Sequence, residues 1–420
     1  MPVGEFPTIG STSPLSEVSA LPLTSRGLDH GATPRPQEPE HYTPERLALH
    51  GQFFSRLIER FGLTKVPNAD IVAVMHMFPD AYPFIAAMQQ IADIHTIIPK
   101  RHSIKADVRD NLQEVGLPIQ RLARDEVRVI VSSITHPTVF MDIGGWFADI
   151  IPQLQEAAGE NFRGVVEDTE NGHQKYIDTA LDFPYHSAAR SPLKEYEDKI
   201  VGRNIADATE DVLAELKTSI QGLEVGVIGY GKIGRSFASR MREKGGTVNV
   251  CDINNDLLRR AASANFVTRD KASVLAESDI ICVANGNKSI KGREFAQVKQ
   301  GAWIVSVTSA DDALDTRWLD DKNNPYKKET VQGSDYVTKY INPKTDHYFY
   351  MIADGNPINL VLKKPVGDHI LLVHGELLVG AYRLLTGQVA VGKHEIDPEA
   401  RDAIRDVWIE TFGREALENI

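Results

Sequence analysis

The sequence predicts an α/β protein made of two units, one of which is inserted into the other. Short apolar segments alternate with amphipathic helical segments from residue 41 to about residue 205, and the alternation repeats more regularly from 206 to 355. An almost wholly apolar helical stretch, Ile370–Leu385, follows and needs a surface to cover. Strands that alternate with helices indicate mostly parallel sheets. We therefore expect an outer unit at 41–205, an inserted unit at 206–355, and a hinge and helices at 356–420 that return to the outer unit.

The chain is expected to begin with a flexible tail at 1–40. This segment is rich in Pro, Ser, Thr and Gly and buries too little to offset the entropy of ordering it. Packed structure should begin near Thr43, which can cap a helix that has Pro44 at its first position.

Three strands and two helices are then expected in the outer unit. The predicted strands are Ile71–Met75, Val127–Val131 and Phe162–Val166, and the predicted helices are Ala81–Ile91 and Ile151–Ala158. A long helix, Leu193–Leu216, leads into the inserted unit. Its predicted strands are Glu224–Ile228, Val248–Cys251, Ile280–Ala284 and Trp303–Val307.

Composition and charge exclude several classes of protein. The 420 residues include 46 Lys and Arg against 58 Asp and Glu, a net charge of −12 that argues against nucleic-acid binding. Two cysteines are too few for a disulfide scaffold, and no metal site is expected. No apolar run approaches the roughly 20 residues of a membrane helix, and no secretory signal is visible at Met1–Gly10. We therefore expect a cytoplasmic protein without membrane partners.

The strongest motif is a glycine loop between a predicted strand and a predicted helix. Gly229 permits a tight turn, Gly231 allows backbone N–H groups to approach a pyrophosphate, and Gly234 lets helix and strand pack closely. The loop also contains Lys232 and Ile233, and the helix that follows directs its positive end toward the phosphates. The pattern predicts a Rossmann-type dinucleotide-binding domain.

Asp252 indicates which dinucleotide is bound. It ends the next predicted strand, 18 residues after Gly234, where a carboxylate can accept hydrogen bonds from an adenosine ribose. A 2′-phosphate would be repelled there, and Ile253–Asn255 offers no arginine to receive one. The expected cofactor is NAD.

Several further motifs resemble the S-adenosyl-L-homocysteine hydrolase (adenosylhomocysteinase) family. They are Ala73–Met77, Asp142–Gly145, Glu167–Thr169, Ser191–Asp198, Gly229–Gly234, Ser278–Ile280, Ile290–Phe295, Leu314–Leu319 and Ala353–Leu360. The resemblance implies an enzyme that keeps NAD bound and oxidises the 3′-hydroxyl of an adenosine-type nucleoside. The ketone then acidifies the C4′ proton, the 5′ thioether is eliminated, water adds and the ketone is reduced again.

The resemblance also assigns catalytic roles. Lys194 would take the O3′ proton, with Asp198 orienting it from the same helix face, and His76 would act near C4′ and C5′. Taken without the resemblance, the spacing of Lys194 and Asp198 favours a surface ion pair, and a lone histidine such as His76 after an apolar strand is more often a hydrogen-bonded core residue.

Binding roles follow from the same resemblance. Glu167, Asp168 and Asp142 would bind the substrate, and Thr169, Asn285 and Asn359 would bind the cofactor, with Asn359 at the nicotinamide amide. For Glu167 and Asp168, the other interpretation is a solvated loop.

Some positions depart from the family pattern and leave the net reaction open. Ile143 stands where the family has a second aspartate, Ser309 where it has a histidine, and Lys199 where it has asparagine. Two alternatives therefore stay open: an enzyme that uses 3′-oxidation for epimerisation or elimination on a modified nucleoside, with the basic pair Lys363–Lys364 meeting a negative group, or a non-catalytic NAD-binding partner. The resemblance also implies a homo-oligomer, a dimer or a tetramer.

Overall fold

The computed structural model describes residues 42–122, 126, 133–178, 181–286, 288–362, 364 and 366–418. The expected tail at 1–40, the predicted strand Val127–Val131 and Lys363 lie outside the described residues.

Helices and strands alternate along most of the chain. In the first part they are α1 (Pro44–Phe61), β1 (Asp70–Met77), α2 (Ala81–Gln89), β2 (Asp93–Ile104), α3 (Ala106–Glu114), β3 (Thr138–Asp142), α4 (Ile151–Ala158), β4 (Phe162–Glu167), α5 (Glu170–Ile177) and β5 (Pro184–Ser187). The next are α6 (Lys194–Glu215), β6 (Glu224–Ile228), α7 (Lys232–Glu243), β7 (Thr247–Cys251), α8 (Asn255–Ser263), β8 (Val267–Thr268), α9 (Lys271–Glu277), β9 (Ile280–Val283), β10 (Trp303–Ser306), α10 (Ala310–Ala313) and α11 (Thr316–Asp320). Then come β11 (Lys327–Thr330), β12 (Val337–Ile341), β13 (Tyr348–Ile352), α12 (Ile358–Val361), α13 (Ile370–Leu385), β14 (Gly392–His394), α14 (Pro398–Phe412) and α15 (Glu415–Glu418).

The chain divides into two compact units. The outer unit comprises the described residues up to Leu193 together with Ile370–Glu418, and the inserted unit comprises Lys194–His369. One α/β unit is thus inserted into another, as the sequence predicts.

The described strands of the outer unit form a parallel sheet in the order β14-β5-β4-β3-β1-β2. Helix α13 packs on β3, β4 and β5, and α1 packs against α2 and α14. The apolar residues of α13 are buried, which explains why so hydrophobic a helix is stable here. Because all these strands run parallel, their carboxyl ends meet at one edge of the sheet.

The sheet of the inserted unit has the order β11-β12-β13-β10-β9-β6-β7-β8. From one edge, the strands β8, β7, β6, β9, β10 and β13 pair in parallel with their neighbours. At the other edge, the ribbon β11-β12-β13 adds two antiparallel pairs. The chain therefore reverses its direction of winding between β6 and β9, the point at which doubly wound sheets bind nucleotides.

Both cysteines of the sequence lie in this second sheet. Cys251 ends β7 and Cys282 lies within β9, and both are buried and unpaired. The strands are buried on both faces, so the cysteines pack as small apolar side chains.

Several strands were missed by the sequence analysis. Strand β2 carries Pro99 and Lys100, and every residue of β11 is exposed. Both are edge strands, which need no continuous apolar run because only one side of the strand is paired. Among the described residues, no helix is both long enough and apolar enough to cross a membrane.

Candidate cofactor and active site

The glycine loop joins β6 to α7 with a geometry that only glycine allows at two positions. Gly229 has a φ of 104°, and a Cβ there would lie 2.7 Å from the carbonyl oxygen of Ala284. A Cβ on Gly234 would lie 2.1 Å from the carbonyl oxygen of Gly229. These two glycines are therefore required for the turn and for the close packing of α7 on the sheet.

Gly231 is different, because a Cβ there would meet no protein atom within 4 Å. It is the N-cap residue of α7, and no side chain caps the helix at this end. The first N–H groups of α7 are therefore left for an anionic ligand, and the missing side chain lets a pyrophosphate come close. The loop fits the dinucleotide that its sequence predicts.

The carboxylate of Asp252 is held beside this loop by two backbone donors. The N–H of Tyr230 donates to its Oδ2 at 2.6 Å, and the N–H of Asn254 donates to its Oδ1 at 2.7 Å. Each oxygen keeps a second lone pair, which can accept a hydrogen bond from a ribose hydroxyl. The neighbouring Ile253 is 98% exposed, and residues 253–255 contain no cation that could bind a 2′-phosphate.

Two asparagines of the inserted unit are candidates for contacts to the rest of a dinucleotide. Asn285 follows β9, and a Cβ added to Gly229 would lie 3.4 Å from the Cβ of Asn285. Asn359 lies on α12 and is only 2% exposed, yet its Oδ1 has no hydrogen-bond partner among the described residues. A buried acceptor without a donor is costly, and a carboxamide N–H such as that of nicotinamide would satisfy it.

Lys194 and Asp198 lie on the first turns of α6, and both are buried. Lys194 is 5% exposed, and its Nζ donates to Oε2 of Glu197 at 2.6 Å. Asp198 is 6% exposed, and its Oδ2 lies 3.8 Å from Nζ of Lys232 in the glycine loop. The sequence predicts that Asp198 orients Lys194, and the contact with Glu197 was not foreseen. The three-residue spacing of Lys194 and Glu197 nevertheless places them on one helix face.

His76 lies near the carboxyl end of β1 and is half-buried. Its Nδ1 forms a hydrogen bond with the Ser103 hydroxyl, and its ring stacks near that of Phe78. The serine fixes the orientation of the imidazole, as proton transfer at the other ring nitrogen would require.

Glu167 ends β4, and its carboxylate is completely buried. It accepts hydrogen bonds from the N–H groups of Gly144, Gly145 and Thr169 at 2.7 to 3.0 Å, and from the Thr169 hydroxyl at 2.6 Å. Thr169 is also the N-cap of α5. Asp168 is buried next to them, and its N–H donates to the carbonyl of Asp142. Glu167 and Thr169 therefore hold the loop that follows β3.

Asp142 is the second buried carboxylate of this cluster, opposite Glu167 in the β3–β4 register. It accepts hydrogen bonds from the N–H groups of Trp146 and Phe147, both at 2.9 Å, and from the Tyr176 hydroxyl at 2.5 Å. Burial, together with the charge of Asp142, raises the pKa of Glu167 to about 8. The cluster therefore includes a carboxyl group that takes up a proton near neutral pH.

The expected site residues thus fall into two groups, one in each unit. In the outer unit, the carboxyl ends of adjacent parallel strands bring together His76, Asp142 and Glu167, with Asp168 and Thr169 directly after them. In the inserted unit, the carboxyl ends of β6, β7 and β9 bring together the glycine loop, Asp252 and Asn285, while Lys194, Asp198 and Asn359 lie on α6 and α12.

The sheet order, the glycine loop and the acidic residue at the end of β7 define a Rossmann-type NAD-binding protein. Residues 206–364 match the family model described as S-adenosyl-L-homocysteine hydrolase, NAD binding domain. The chain is therefore similar to this family, and the match to its NAD-binding domain supports NAD as the cofactor.

Several curated proteins are similar to this chain at low identity. The chain is 25% identical over 294 residues to S-inosyl-L-homocysteine hydrolase of Methanopyrus kandleri, a match that covers 67% of this chain and 68% of the relative. It is 23% identical to adenosylhomocysteinase of Nostoc sp., covering 66% of each, and 25% identical to that of Pyrococcus abyssi, covering 54% of this chain and 53% of the relative. The matches thus span about two thirds or less of the relatives' length.

Proposed function

We propose that this chain uses NAD to oxidise the 3′-hydroxyl of an adenosine-type nucleoside, which opens the way to a reaction at C5′. The substrate is S-adenosylhomocysteine or a close relative, such as the inosine analogue that gives the Methanopyrus kandleri relative its name. The observation that carries the proposal is a lysine amine inside the NAD-binding unit: Lys194 is 5% exposed and bonded to Glu197 at 2.6 Å.

Oxidation of an alcohol needs a hydride acceptor and a base for the hydroxyl proton. NAD supplies the acceptor when it is bound. Lys194 takes the proton from O3′, and the nearby carboxylate of Glu197 holds the amine in place and stabilises its charged form afterwards. Asp198 faces Lys232 and so ties this helix to the glycine loop.

The outer unit contains the other residues to which the family resemblance assigns roles. His76, oriented by Ser103, takes the C4′ proton once the ketone has formed. Asp142 and Glu167 are buried and bonded to the backbone of the loop between them, so their contribution is to shape a ribose-binding surface from 143–147. Asp168 and Thr169 border the same surface.

The proposal is tested by following the absorbance of reduced nicotinamide after the NAD-loaded protein is mixed with adenosine or S-adenosylhomocysteine. Lys194→Met should slow this reduction about 10²–10⁴-fold and leave NAD bound, since a positioned base contributes that much. Lys299→Met is a matched control, because Lys299 forms an ion pair with Asp279 at 2.6 Å in the same unit. Reduction at the parent rate in Lys194→Met would refute the role of this lysine.

A second candidate function is oxidation that does not end in hydrolysis, for example epimerisation on a modified nucleoside. Ile143 favours this candidate because it has no side-chain base, and its carbonyl accepts a hydrogen bond from Lys100 at 2.9 Å. Ser309 favours it as well, because this residue, which precedes α10, is a far weaker acid than an imidazole. In one sample, nicotinamide reduction, deuterium entry at C4′ and thiol release should be followed together. Reduction much faster than thiol release supports this candidate, and equal rates support hydrolysis. No reduction with several purine nucleosides would favour a non-catalytic NAD-binding partner.

A further inference from the structure

A groove between α6 and α7 gathers positive charge on a protein that is acidic as a whole. It encloses about 310 Å³, near the lower end of small-molecule sites. Its lining consists of Glu195, Lys199 and Arg203 from α6 and Lys232, Arg235, Ser236 and Ser239 from α7. We propose that this groove binds the phosphate group of a small molecule through Lys199, Arg235 and Ser239, which lie outside the glycine loop Gly229–Gly234.

The groove is built by helical periodicity. Its α6 residues are spaced by four, and its α7 residues by three, one and three, so each set lies on a single helix face. The two helices approach closely at Gly202, where a Cβ would lie 2.5 Å from the carbonyl oxygen of Ile233. On the floor of the groove, the buried Ser236 hydroxyl donates to the carbonyl of Lys199. The groove is therefore a fixed feature of the inserted unit.

Four cations and one carboxylate line this groove. Lys232 faces Asp198 at 3.8 Å, so part of the positive charge is neutralised locally. Arg203 pairs with Glu243 at 3.3 Å, which lies outside the lining. Arg235 is half-buried and has no ion-pair partner among the described residues. Its guanidinium presents a planar set of donors that matches two phosphate oxygens at once.

A phosphate group suits this groove better than a single carboxylate does. A phosphate monoester carries up to two negative charges and three acceptor oxygens, which can engage Arg235, Lys199 and the Ser239 hydroxyl. Ser239 is eight residues beyond Gly231, so it lies about 12 Å along α7 from the pyrophosphate loop. The Ser239 end of the groove is therefore remote from the pyrophosphate loop, and the inference does not depend on the reaction proposed above.

The test is isothermal titration of the full chain, saturated with NAD, with inorganic phosphate, diphosphate, adenosine 5′-monophosphate and adenosine. We expect the phosphate-bearing probes to bind and adenosine not to, with affinity that falls as salt is added. Arg235→Gln and Lys199→Gln should each raise the dissociation constant at least tenfold. Arg259→Gln, which removes an exposed cation on α8 of the same unit, should not change it.

Comparison of the affinities of these probes also identifies the molecule that carries the phosphate group. Tighter binding of adenosine 5′-monophosphate than of the inorganic ions assigns the groove to a nucleotide, and equal or weaker binding assigns it to a free phosphate ion. Thermal unfolding of each variant shows whether the unit remains folded. The proposal is overturned if none of the probes binds at millimolar concentration, or if folded Arg235→Gln binds them as tightly as the parent does.

Discussion

Two alanine substitutions in the glycine loop separate cofactor contact from loop integrity. In Gly231→Ala the new Cβ meets no protein atom within 4 Å, and its φ of −67° suits alanine. In Gly234→Ala the Cβ would lie 2.1 Å from the carbonyl oxygen of Gly229 and 2.9 Å from Cβ of Ala284. The first change should obstruct the pyrophosphate in an otherwise intact unit, and the second should distort the unit itself.

The magnitudes follow from these distances. Overpacking of this kind costs about 1–3 kcal/mol, which Gly234→Ala should lose from the free energy of unfolding without NAD. Gly231→Ala should lose less than about 1 kcal/mol, the usual cost of replacing a good N-cap residue by alanine. A tenfold loss of NAD affinity would lower the stabilisation by NAD at 100 times the parent dissociation constant from about 2.7 to about 1.4 kcal/mol.

The assay is urea unfolding of each apoprotein with and without NAD, together with direct titration of NAD. Gly246→Ala is not a suitable control, since a Cβ there would lie 2.9 Å from Val225. Gly222→Ala tests instead the effect of a positive φ, 82°, where a Cβ would touch nothing within 4 Å. If Gly231→Ala binds NAD as tightly as the parent does, the pyrophosphate does not pass over Gly231 and the reasoning is wrong.

Three further changes probe other parts of the molecule. Asp252→Asn should reduce the preference for NAD over NADP at least tenfold, because the charge that repels a 2′-phosphate is lost; titration with both dinucleotides measures this. The pKa of Glu167 is raised to about 8 in the folded protein. Its protonation therefore contributes to the free energy of unfolding in full below the pKa of an ordinary carboxyl group, and this contribution is lost as the pH rises through 8. Urea unfolding of the outer unit should therefore show falling stability toward alkaline pH, less steeply in Asp142→Asn, and a flat profile in the parent would contradict it. Glu197→Gln should slow nicotinamide reduction about tenfold or more without changing NAD affinity, because a hydrogen bond to a charged group contributes roughly 1.5–3 kcal/mol; an unchanged rate would show that Glu197 does not position Lys194.

Elements that are strongly periodic or wholly buried were predictable from the sequence. The bounds of Ile151–Ala158, Glu224–Ile228 and Ile370–Leu385 agree with the structure, because their apolar pattern is set by burial along the whole element. The ribbon from Lys327 to Ile352 was missed, since its strands lie toward a sheet edge and mix polar with apolar residues. The local pattern of apolar residues does not show whether a segment pairs with strands that are distant in the sequence.

The candidate site divides in the same way. The roles of Gly229 and Gly234 in the turn and in helix packing follow from chemistry within a short segment, so the sequence was sufficient. The internal bonds of Glu167 were not foreseeable, because they depend on which loop the β3–β4 register brings to its carboxylate. The partner of Lys194 depends on side-chain rotamers, which spacing on a helix narrows but does not decide.

The positions of the two cysteines give this protein an intrinsic reporter of unfolding. Cys251 and Cys282 are the only thiols in the sequence, and both belong to the inserted unit. Burial raises the pKa of both thiols, which keeps them in the unreactive protonated form while the sheet is closed. A thiol-alkylating reagent applied in rising urea will therefore label the chain only when the NAD-binding sheet opens. Loss of the outer unit alone will add no label, so mass spectrometry of the alkylated chain can time the unfolding of one unit independently of the other.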